Sequence, residues 1–223
     1  MNELPARVAE ALRGVLDLGG PVVLLLLALS VVAAAVALYK FWQHGAARVG
    51  RHTRLKRALE AWDAGDGARA LAAAQECPSH LAPLVVAAMR DPEDAALRAR
   101  LEAEAEANLA RLEGGFRILD SIAQIAPLLG LFGTVLGMID AFRALQAAGA
   151  AVDPSVLAGG IWVALLTTAT GLAVAMPTQI VLTWLESRVS RERAFAELAL
   201  ARARVPMAGA PARPEAAIRP APA

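Results

Sequence analysis

Residues Ile122–Phe142 read IAQIAPLLGLFGTVLGMIDAF, and as a helix they are long enough to cross a lipid bilayer. The stretch contains no charged residue before Asp140. Glycine costs a helix about 1 kcal/mol relative to alanine, so glycines that share one face indicate a neighbouring helix at close range. We therefore predict a transmembrane helix over residues 121–146. Its predicted packing stripe consists of Gly130, Gly133 and Gly137, with Thr134 beside it.

A second apolar segment, residues 156–185, reads VLAGGIWVALLTTATGLAVAMPTQIVLTWL and predicts another transmembrane helix. Threonine is tolerated in lipid because its hydroxyl can hydrogen-bond to a carbonyl of the preceding turn. Thr167 and Thr168 therefore offer a weakly polar surface where a charge would be costly. The predicted packing stripe of this helix consists of Gly160, Ala164 and Gly171.

Residues 21–42 predict the first transmembrane helix along the chain. Pro21–Tyr39 is apolar except for Ser30, and a helix of that length measures roughly 28 Å, about one hydrocarbon thickness. A cleaved signal peptide is the alternative, but such a peptide carries its positive charge ahead of the apolar core. Here most of the basic residues follow the core, starting at Lys40, which favours an uncleaved anchor.

The other segments are predicted to lie outside the bilayer. The N-terminal segment and the region of the second connection carry three Lys or Arg, whereas residues 40–120 and the C-terminal segment together carry nineteen. The positive-inside rule therefore places the N-terminus in the periplasm and the C-terminus in the cytoplasm. The predicted parts are a periplasmic amphipathic helix over 1–20, a cytoplasmic helical domain over 43–120, a periplasmic loop over 147–155, a cytoplasmic helix over 186–205 and a disordered tail over 206–223.

Within the predicted cytoplasmic domain, short alanine-rich helices are separated by turn signals. The first of these helices is predicted to begin near Arg48 and to reach Ala61. From Glu93 onward the pattern is helical up to the second span, although Gly114-Gly115 weakens it. These segments predict an antiparallel helical bundle beside the longer helices.

Composition argues against several classes of function. The 22 Lys and Arg are balanced by 21 Asp and Glu, so no basic patch indicates nucleic-acid binding. The single Cys77 allows no intrachain disulfide, and the three histidines lack the spacing of a metal site. No Ser/His/Asp set, HExxH motif or phosphate-binding loop is present, so we expect neither an enzyme nor a cofactor.

The predicted spans carry no ionisable residue at mid-depth. Asp120, Asp140 and Glu186 lie near the ends of spans. Membrane proteins that carry protons usually keep an ionisable group inside the bilayer, and threonine cannot titrate there. If protons move through this protein, another chain must therefore supply the acid.

Two motifs together resemble the pore-lining helices of the MotA/TolQ/ExbB proton channel family, closest to ExbB and TolQ. They are APLLGLFGTVLGMIDAF at 126–142 and LAGGIWVALLTTATGLAVAMP at 157–177. The resemblance implies an all-α membrane protein with three transmembrane helices and long cytoplasmic helical extensions. It also implies a ring-forming homo-oligomer, generally a pentamer, in the bacterial inner membrane.

The resemblance further implies a partner of ExbD or TolR type, a single-span protein that carries a membrane Asp as the proton carrier. TonB- or TolA-type proteins and lipid are implied as further contacts. Thr134 matches the threonine of the family's GTVxGM motif, and Thr168 matches that of its third-helix motif, so with Thr167 they are expected to line the proton path. Many ExbB and TolQ proteins have Glu where this sequence has Val163, which puts strict ExbB-type coupling in doubt.

Three functional hypotheses stay open at this point. The first is an ExbB-like proton-channel or stator subunit that couples proton-motive force to TonB-dependent transport across the outer membrane. The second is a TolQ-like subunit for envelope integrity and division. The third is a non-conducting oligomeric scaffold, in which the small-residue stripes only pack subunits together. Three spans argue against the flagellar type, which has four.

Overall fold

The computed structural model describes residues 3–50, 52–148 and 154–205, and within these ranges the regular structure is entirely α-helical. Three helical stretches are long and apolar enough to cross a membrane: Gly20–Ala46, Ala95–Ala147 and Leu157–Arg204. The predictions of an all-helical protein and of three helices able to span a membrane are therefore confirmed for the described residues. The helices are α1 (Glu3–Ala46), α2 (Thr53–Asp63), α3 (Gly67–Gln75), α4 (Ala82–Arg90), α5 (Ala95–Glu113), α6 (Phe116–Ala148) and α7 (Pro154–Arg204).

The chain divides into two compact units. The membrane unit comprises Met1–Trp42 and Gly114–Glu186, and the helical domain comprises Gln43–Glu113 and Ser187–Ala223. The predicted loop at 147–155 falls largely on residues 149–153, which lie outside the described residues. The predicted tail at 206–223 lies outside them as well.

A break at Gly20 divides α1 into an N-terminal helix and the first span. Gly20 has φ 65° and ψ −167°, a backbone conformation that residues other than glycine rarely adopt. Pro21 follows and has no N–H to continue the hydrogen-bond ladder. The break lies at the Gly19-Gly20-Pro21 sequence, where the N-terminal helix is predicted to end. Its position at a membrane surface stays a prediction.

The core of the membrane unit is small and joins all three spans. Leu26 of α1, Ala126 of α6 and Ala175 of α7 form one buried cluster, and Leu26 is fully buried. Most large apolar side chains of the spans point outward, as expected for surfaces that meet lipid or other protein. Examples are Leu38, Leu128, Leu165 and Ile180.

The helical domain has a conventional apolar core. It is built from α2 to α5 together with the end of α7, which contributes small buried residues at Ala196, Ala199 and Ala203. The larger buried side chains of this core are Leu55, Leu59, Trp62, Leu81, Val85 and Met89.

Two local differences from the predictions have a backbone cause. First, α2 begins at Thr53 rather than near Arg48, because Arg48 and Gly50 turn the chain with φ of 51° and 82°. Second, the helical pattern that begins at Glu93 does not continue into the second span. Gly115 adopts φ 89°, which ends α5 at Glu113 and lets α6 start at Phe116.

Candidate functional site

The predicted packing stripes of α6 and α7 face each other inside one chain. A Cβ on Gly171 would lie 2.6 Å from the carbonyl oxygen of Ala126. A Cβ on Gly130 would lie 3.0 Å from the carbonyl oxygen of Thr167. Such distances leave no room for a methyl group, so the two backbones are in direct contact. The helices run antiparallel, because contacts advance along α6 as they retreat along α7.

The contact between α6 and α7 continues toward the C-terminal end of α6 and the N-terminal end of α7. Gly137 lies against Ala164, where a Cβ would be 3.1 Å from the alanine methyl. Gly160 lies directly against Ala141. Gly133 lies against the Thr167 side chain at 2.9 Å and against Val22 of α1 at 3.1 Å, both measured from the position of a Cβ. Every residue of the two predicted stripes therefore has a neighbour in the membrane unit.

Two threonines of α7 approach one carbonyl group of α6. The Thr168 hydroxyl donates to the Gly130 oxygen at 3.1 Å, and the Thr167 hydroxyl lies 3.3 Å from the same oxygen. The shorter bond of Thr167 is to Ala164 of its own helix, at 2.7 Å. Thr167 is almost completely buried, whereas Thr168 is half-buried. These bonds join α6 to α7 within one chain, and they do not exclude contact between Thr168 and a further chain.

Thr134 lies four residues after Gly130 on α6. Its hydroxyl donates to the Leu131 carbonyl of the same helix at 2.6 Å, and the side chain is half-buried. The hydroxyl groups of Thr134 and Thr168 therefore both donate their proton to a backbone carbonyl of this chain. Val163, at the position where the resemblance expects an acid, is half-buried as well. A role of these residues in a proton path stays a prediction.

The acidic residues near the span ends, Asp120, Asp140 and Glu186, are exposed or half-exposed. Asp140 forms a loose i,i+3 pair with Arg143 at 3.8 Å, and both side chains are 76% exposed. Such exposed pairs contribute little to stability. No Asp, Glu, Lys, Arg or His occurs over residues 121–139 or 154–185. In the middle of these two spans, the chain can offer hydroxyl groups and backbone carbonyls but no proton carrier.

Lys40, near the end of the first span, is a buried cation that its position in the sequence did not predict. It is 2% exposed, and its ammonium lies 5.6 Å from the centroid of the Tyr39 ring and 5.8 Å from that of Phe116. Its Cε would be 3.3 Å from a Cβ on Gly115. The aromatic residues on both sides of Lys40 in the sequence were the available signal, since cations pack on aromatic faces.

A buried ionic cluster in the helical domain was also not predicted. The Glu192 carboxylate is 1% exposed and accepts hydrogen bonds from the Gly50 N–H and from His52 Nε2, both at 2.8 Å. His80 Nε2 lies 3.5 Å from the other carboxylate oxygen. The histidines looked scattered because 140 residues separate His52 from Glu192 in the chain. Within the described residues, no group of three such side chains is arranged to hold a metal ion.

Comparison with known proteins identifies the family of this chain. Residues 70–197 match the MotA/TolQ/ExbB proton channel family. The putative biopolymer transport protein ExbB-like 1 of Synechocystis is 31% identical over 204 residues, which cover 86% of this chain and 75% of that protein. The biopolymer transport protein exbB1 of Vibrio cholerae is 48% identical over 67 residues, covering 30% of this chain and 29% of that protein.

The Tol-Pal system protein TolQ of Haemophilus influenzae is 42% identical over 79 residues, covering 35% of this chain and 34% of that protein. The chain therefore spans about a third of the length of the Vibrio and Haemophilus relatives, and three quarters of the Synechocystis one. ExbB and TolQ proteins both occur among these relatives, so the comparisons do not separate the two types. With a family match over more than half of its length and three helices long and apolar enough to cross a membrane, this chain belongs to the MotA/TolQ/ExbB proton channel family and is a multi-pass inner-membrane protein.

Proposed function

We propose that this chain is the ring-forming subunit of an ExbB-like, proton-driven machine whose titratable group comes from an ExbD-type partner. Together they couple the proton-motive force to TonB-dependent transport across the outer membrane. The observation that carries this proposal is the absence of any ionisable residue over 121–139 and 154–185, in helices that hold hydroxyl groups at Thr134, Thr167 and Thr168. Proton transfer through such a surface requires an acid from outside the chain.

The hydrogen bonds of the threonines support a specific chemical role. The hydroxyl protons of Thr134 and Thr168 are donated to Leu131 and Gly130, so each oxygen retains only lone pairs for a further partner. A protonated carboxyl can donate to such an oxygen, whereas a carboxylate cannot. The two threonines therefore favour hydrogen bonding to the neutral form of the partner's Asp. Thr167 is buried between the helices and acts by holding Thr168 and Gly130 in position.

The arrangement in the membrane is part of the same proposal. A ring of copies, generally five in this family, encloses the membrane helices of the ExbD-type partner. The N-terminus lies in the periplasm, and the helical domain lies in the cytoplasm. The excess of basic residues in the helical domain supports this orientation through the positive-inside rule.

Proton flux into liposomes that contain the chain with its ExbD-type partner tests the proposal. Thr168→Val removes the hydroxyl at nearly constant shape, and we expect flux to fall about tenfold, as for the loss of one hydrogen bond in the pathway. Thr170→Val is the matched control for loss of a threonine hydroxyl from α7, at a position that the proposal does not place in the pathway; the Thr170 hydroxyl donates to Leu166 at 2.8 Å. Thr168→Ser restores a hydroxyl and should restore flux. Absence of flux from the unmodified complex would contradict the proposal, and equal flux in all variants would remove Thr168 from the pathway.

A TolQ-like role in envelope integrity and division is the second candidate, favoured by the identity with Haemophilus TolQ. Expression in strains that lack either their ExbB or their TolQ subunit distinguishes the two roles. Restored TonB-dependent uptake supports the first role, and restored resistance to detergents supports the second. A non-conducting scaffold is the third candidate, favoured by the use of Thr167 and Thr168 in joining α6 to α7. Proton flux through the unmodified complex in liposomes would exclude the non-conducting scaffold.

A further inference from the structure

A cleft in the helical domain lies beside the connection between α1 and α2. Its volume is about 350 Å³, and its walls include Arg48, Thr53, Arg54 and the Cys77–Ser79 turn. None of the functions considered above uses this cleft. Its lining is polar and basic, so its ligand chemistry can be inferred from the groups that it offers.

The two arginines of the cleft have no acidic partner within the described part of the chain. Other arginines of the same domain do have one, since Arg193, Arg202 and Arg204 bind Glu106, Asp63 and Glu102. Arg48 and Arg54 form no such pair among the described residues, and both are exposed at the cleft. An arginine guanidinium suits oxyanions, because its fork of N–H groups matches two oxygens at once.

The first turn of α2 adds positive potential at the same place. A helix N-terminus carries a partial positive charge, which proteins usually offset with an acidic residue or a capping side chain. In α2 the first turn contains no acid, and the N-cap residue His52 makes no capping hydrogen bond with its side chain. Arg54 instead places a further positive charge in this turn. An anion in the cleft would offset both charges.

Ser79 adds a hydroxyl group to the wall of the cleft. It is 8% exposed, and its oxygen accepts a hydrogen bond from the Leu81 N–H at 3.3 Å. A serine hydroxyl can accept one hydrogen bond and donate another, so Ser79 can also donate to an oxygen atom of a ligand in the cleft.

The Glu192 carboxylate, which contacts Gly50 between α1 and α2, repels an anion in the cleft only weakly. Glu192 is bound by the Gly50 N–H and by His52, so its charge is already engaged. The Gly50 N–H is for the same reason not available to a ligand. The remaining donors are the Arg48 and Arg54 side chains, the Ser79 hydroxyl and the N–H groups that begin α2.

We propose that this cleft binds a phosphate group. The guanidinium groups of Arg48 and Arg54 contact its oxygens, the Ser79 hydroxyl donates to one of them, and the N-terminus of α2 stabilises the charge. Arg48 follows the last residue of α1 by two positions, and α1 contains the first span. The phosphate therefore belongs either to an anionic lipid headgroup or to a free phosphate compound, with the same contacts in both cases.

The test uses the full-length chain in non-ionic detergent. One arm measures binding of inorganic phosphate by titration calorimetry. The other arm incubates the protein with mixed micelles of phosphatidylcholine and phosphatidylglycerol and counts retained phosphatidylglycerol by native mass spectrometry. The test variant is Arg48→Gln with Arg54→Gln. The control variant, Arg57→Gln with Arg69→Gln, removes the same charge from exposed positions of the domain that do not line the cleft.

We expect the test variant to bind about tenfold more weakly or worse, as for the loss of charge-assisted hydrogen bonds, and the control variant to bind normally. Retention of phosphatidylglycerol without binding of inorganic phosphate identifies a lipid headgroup, and the reverse identifies a free phosphate compound. Ser79→Ala should weaken binding a few-fold with an unchanged melting temperature. If the unmodified chain binds neither probe, or if the test and control variants bind alike, the proposal is wrong.

Discussion

At the scale of single residues, Gly171 illustrates a glycine that is required by contact rather than by backbone conformation. It lies in the middle of α7, where alanine would be the better helix former by about 1 kcal/mol. A Cβ at this position would meet the Ala126 carbonyl oxygen at 2.6 Å and Gly130 Cα at 3.1 Å. Both are backbone atoms, which cannot move aside without displacing α6.

Gly171→Ala should therefore destabilise the protein by about 1–3 kcal/mol, the usual cost of overpacking a tight contact. Gly159→Ala is the matched control in the same helix, because nothing lies within 4 Å of a Cβ at Gly159. That variant should be neutral or slightly stabilising. Thermal unfolding in detergent, followed by circular dichroism, measures both, and equal melting temperatures would show that α6 and α7 are not in backbone contact.

The cluster around Glu192 links stability to pH. Burial would raise the pKa of the Glu192 carboxyl, but the hydrogen bond and charge of His52 and the Gly50 N–H together lower the pKa below its ordinary value. Burial lowers the pKa of His80, against the opposing effect of the Glu192 carboxylate. Both groups therefore bind protons less readily in the folded protein than in the unfolded chain.

Acidification should accordingly destabilise the helical domain. When the folded pKa is the lower one, stability is complete above the unfolded value and is lost as pH falls toward the folded value. For His80 the loss begins near pH 6.5, and for Glu192 near pH 4.5. Unfolding of the full chain should therefore become easier as the pH falls below about 6.5, the ordinary pKa of histidine.

His80→Gln is the variant that isolates this contribution. It keeps a polar side chain beside Glu192 but removes one titrating group, so the change of stability over this pH range should become smaller than in the unmodified chain. His52 faces the same carboxylate and stays in place in this variant. An unchanged pH dependence in His80→Gln would show that His80 does not contribute.

At the scale of helices, Gly115 decides where the second span begins. Its φ of 89° ends α5 and starts α6, although the flanking sequence continues a helical pattern. A residue with a Cβ pays about 1–2 kcal/mol in this left-handed region. The Cβ would also lie 3.3 Å from Lys40 Cε, where a flexible side chain must shift.

Gly115→Ala should therefore lower the free energy of unfolding by about 1–2 kcal/mol. Gly45→Ala serves as the control, since Gly45 lies inside α1 with nothing within 4 Å of a Cβ. The control should gain helix propensity and lose nothing. Chemical denaturation of both variants in detergent measures the difference, and a Gly115→Ala protein as stable as the control would contradict a sharp break at this glycine.

At the scale of the whole molecule, the apolar surface of the spans indicates contacts beyond this chain. Phe132, Trp162 and Leu165 are 54%, 66% and 61% exposed, although they belong to helices that also pack against each other. Such side chains are stable facing lipid or a neighbouring copy.

The proposed ring predicts a definite mass for the complex. Native mass spectrometry of the detergent-extracted protein should give five copies of the 23.2 kDa chain, with additional mass when an ExbD-type partner is co-expressed. A subunit interface in a ring requires a substantial buried area, so the mass should persist on dilution. A monomer at all concentrations would contradict the ring and with it the proposed enclosure of a partner.

The sequence by itself determined the membrane class, the three spans and the helical type of every described element. These properties are local, because the length of an apolar run and the period of its small residues are read within a single segment. The stripe from Gly130 to Gly137 and the threonines of the third span were identified in the same way. The positive φ values at Arg48 and Gly115 could not be identified from the sequence, because they depend on how the adjoining helices are placed.

Only the tertiary structure decided what each surface meets. Helical periodicity predicts which residues share a face, but it does not determine whether that face contacts the same chain, lipid or another subunit. The structure pairs Gly171 with Ala126 and brings Thr167 and Thr168 to the carbonyl of Gly130. It also joins His52 to Glu192 across 140 residues. Such pairings come from chain packing, and packing energy depends on all helices together rather than on any one segment.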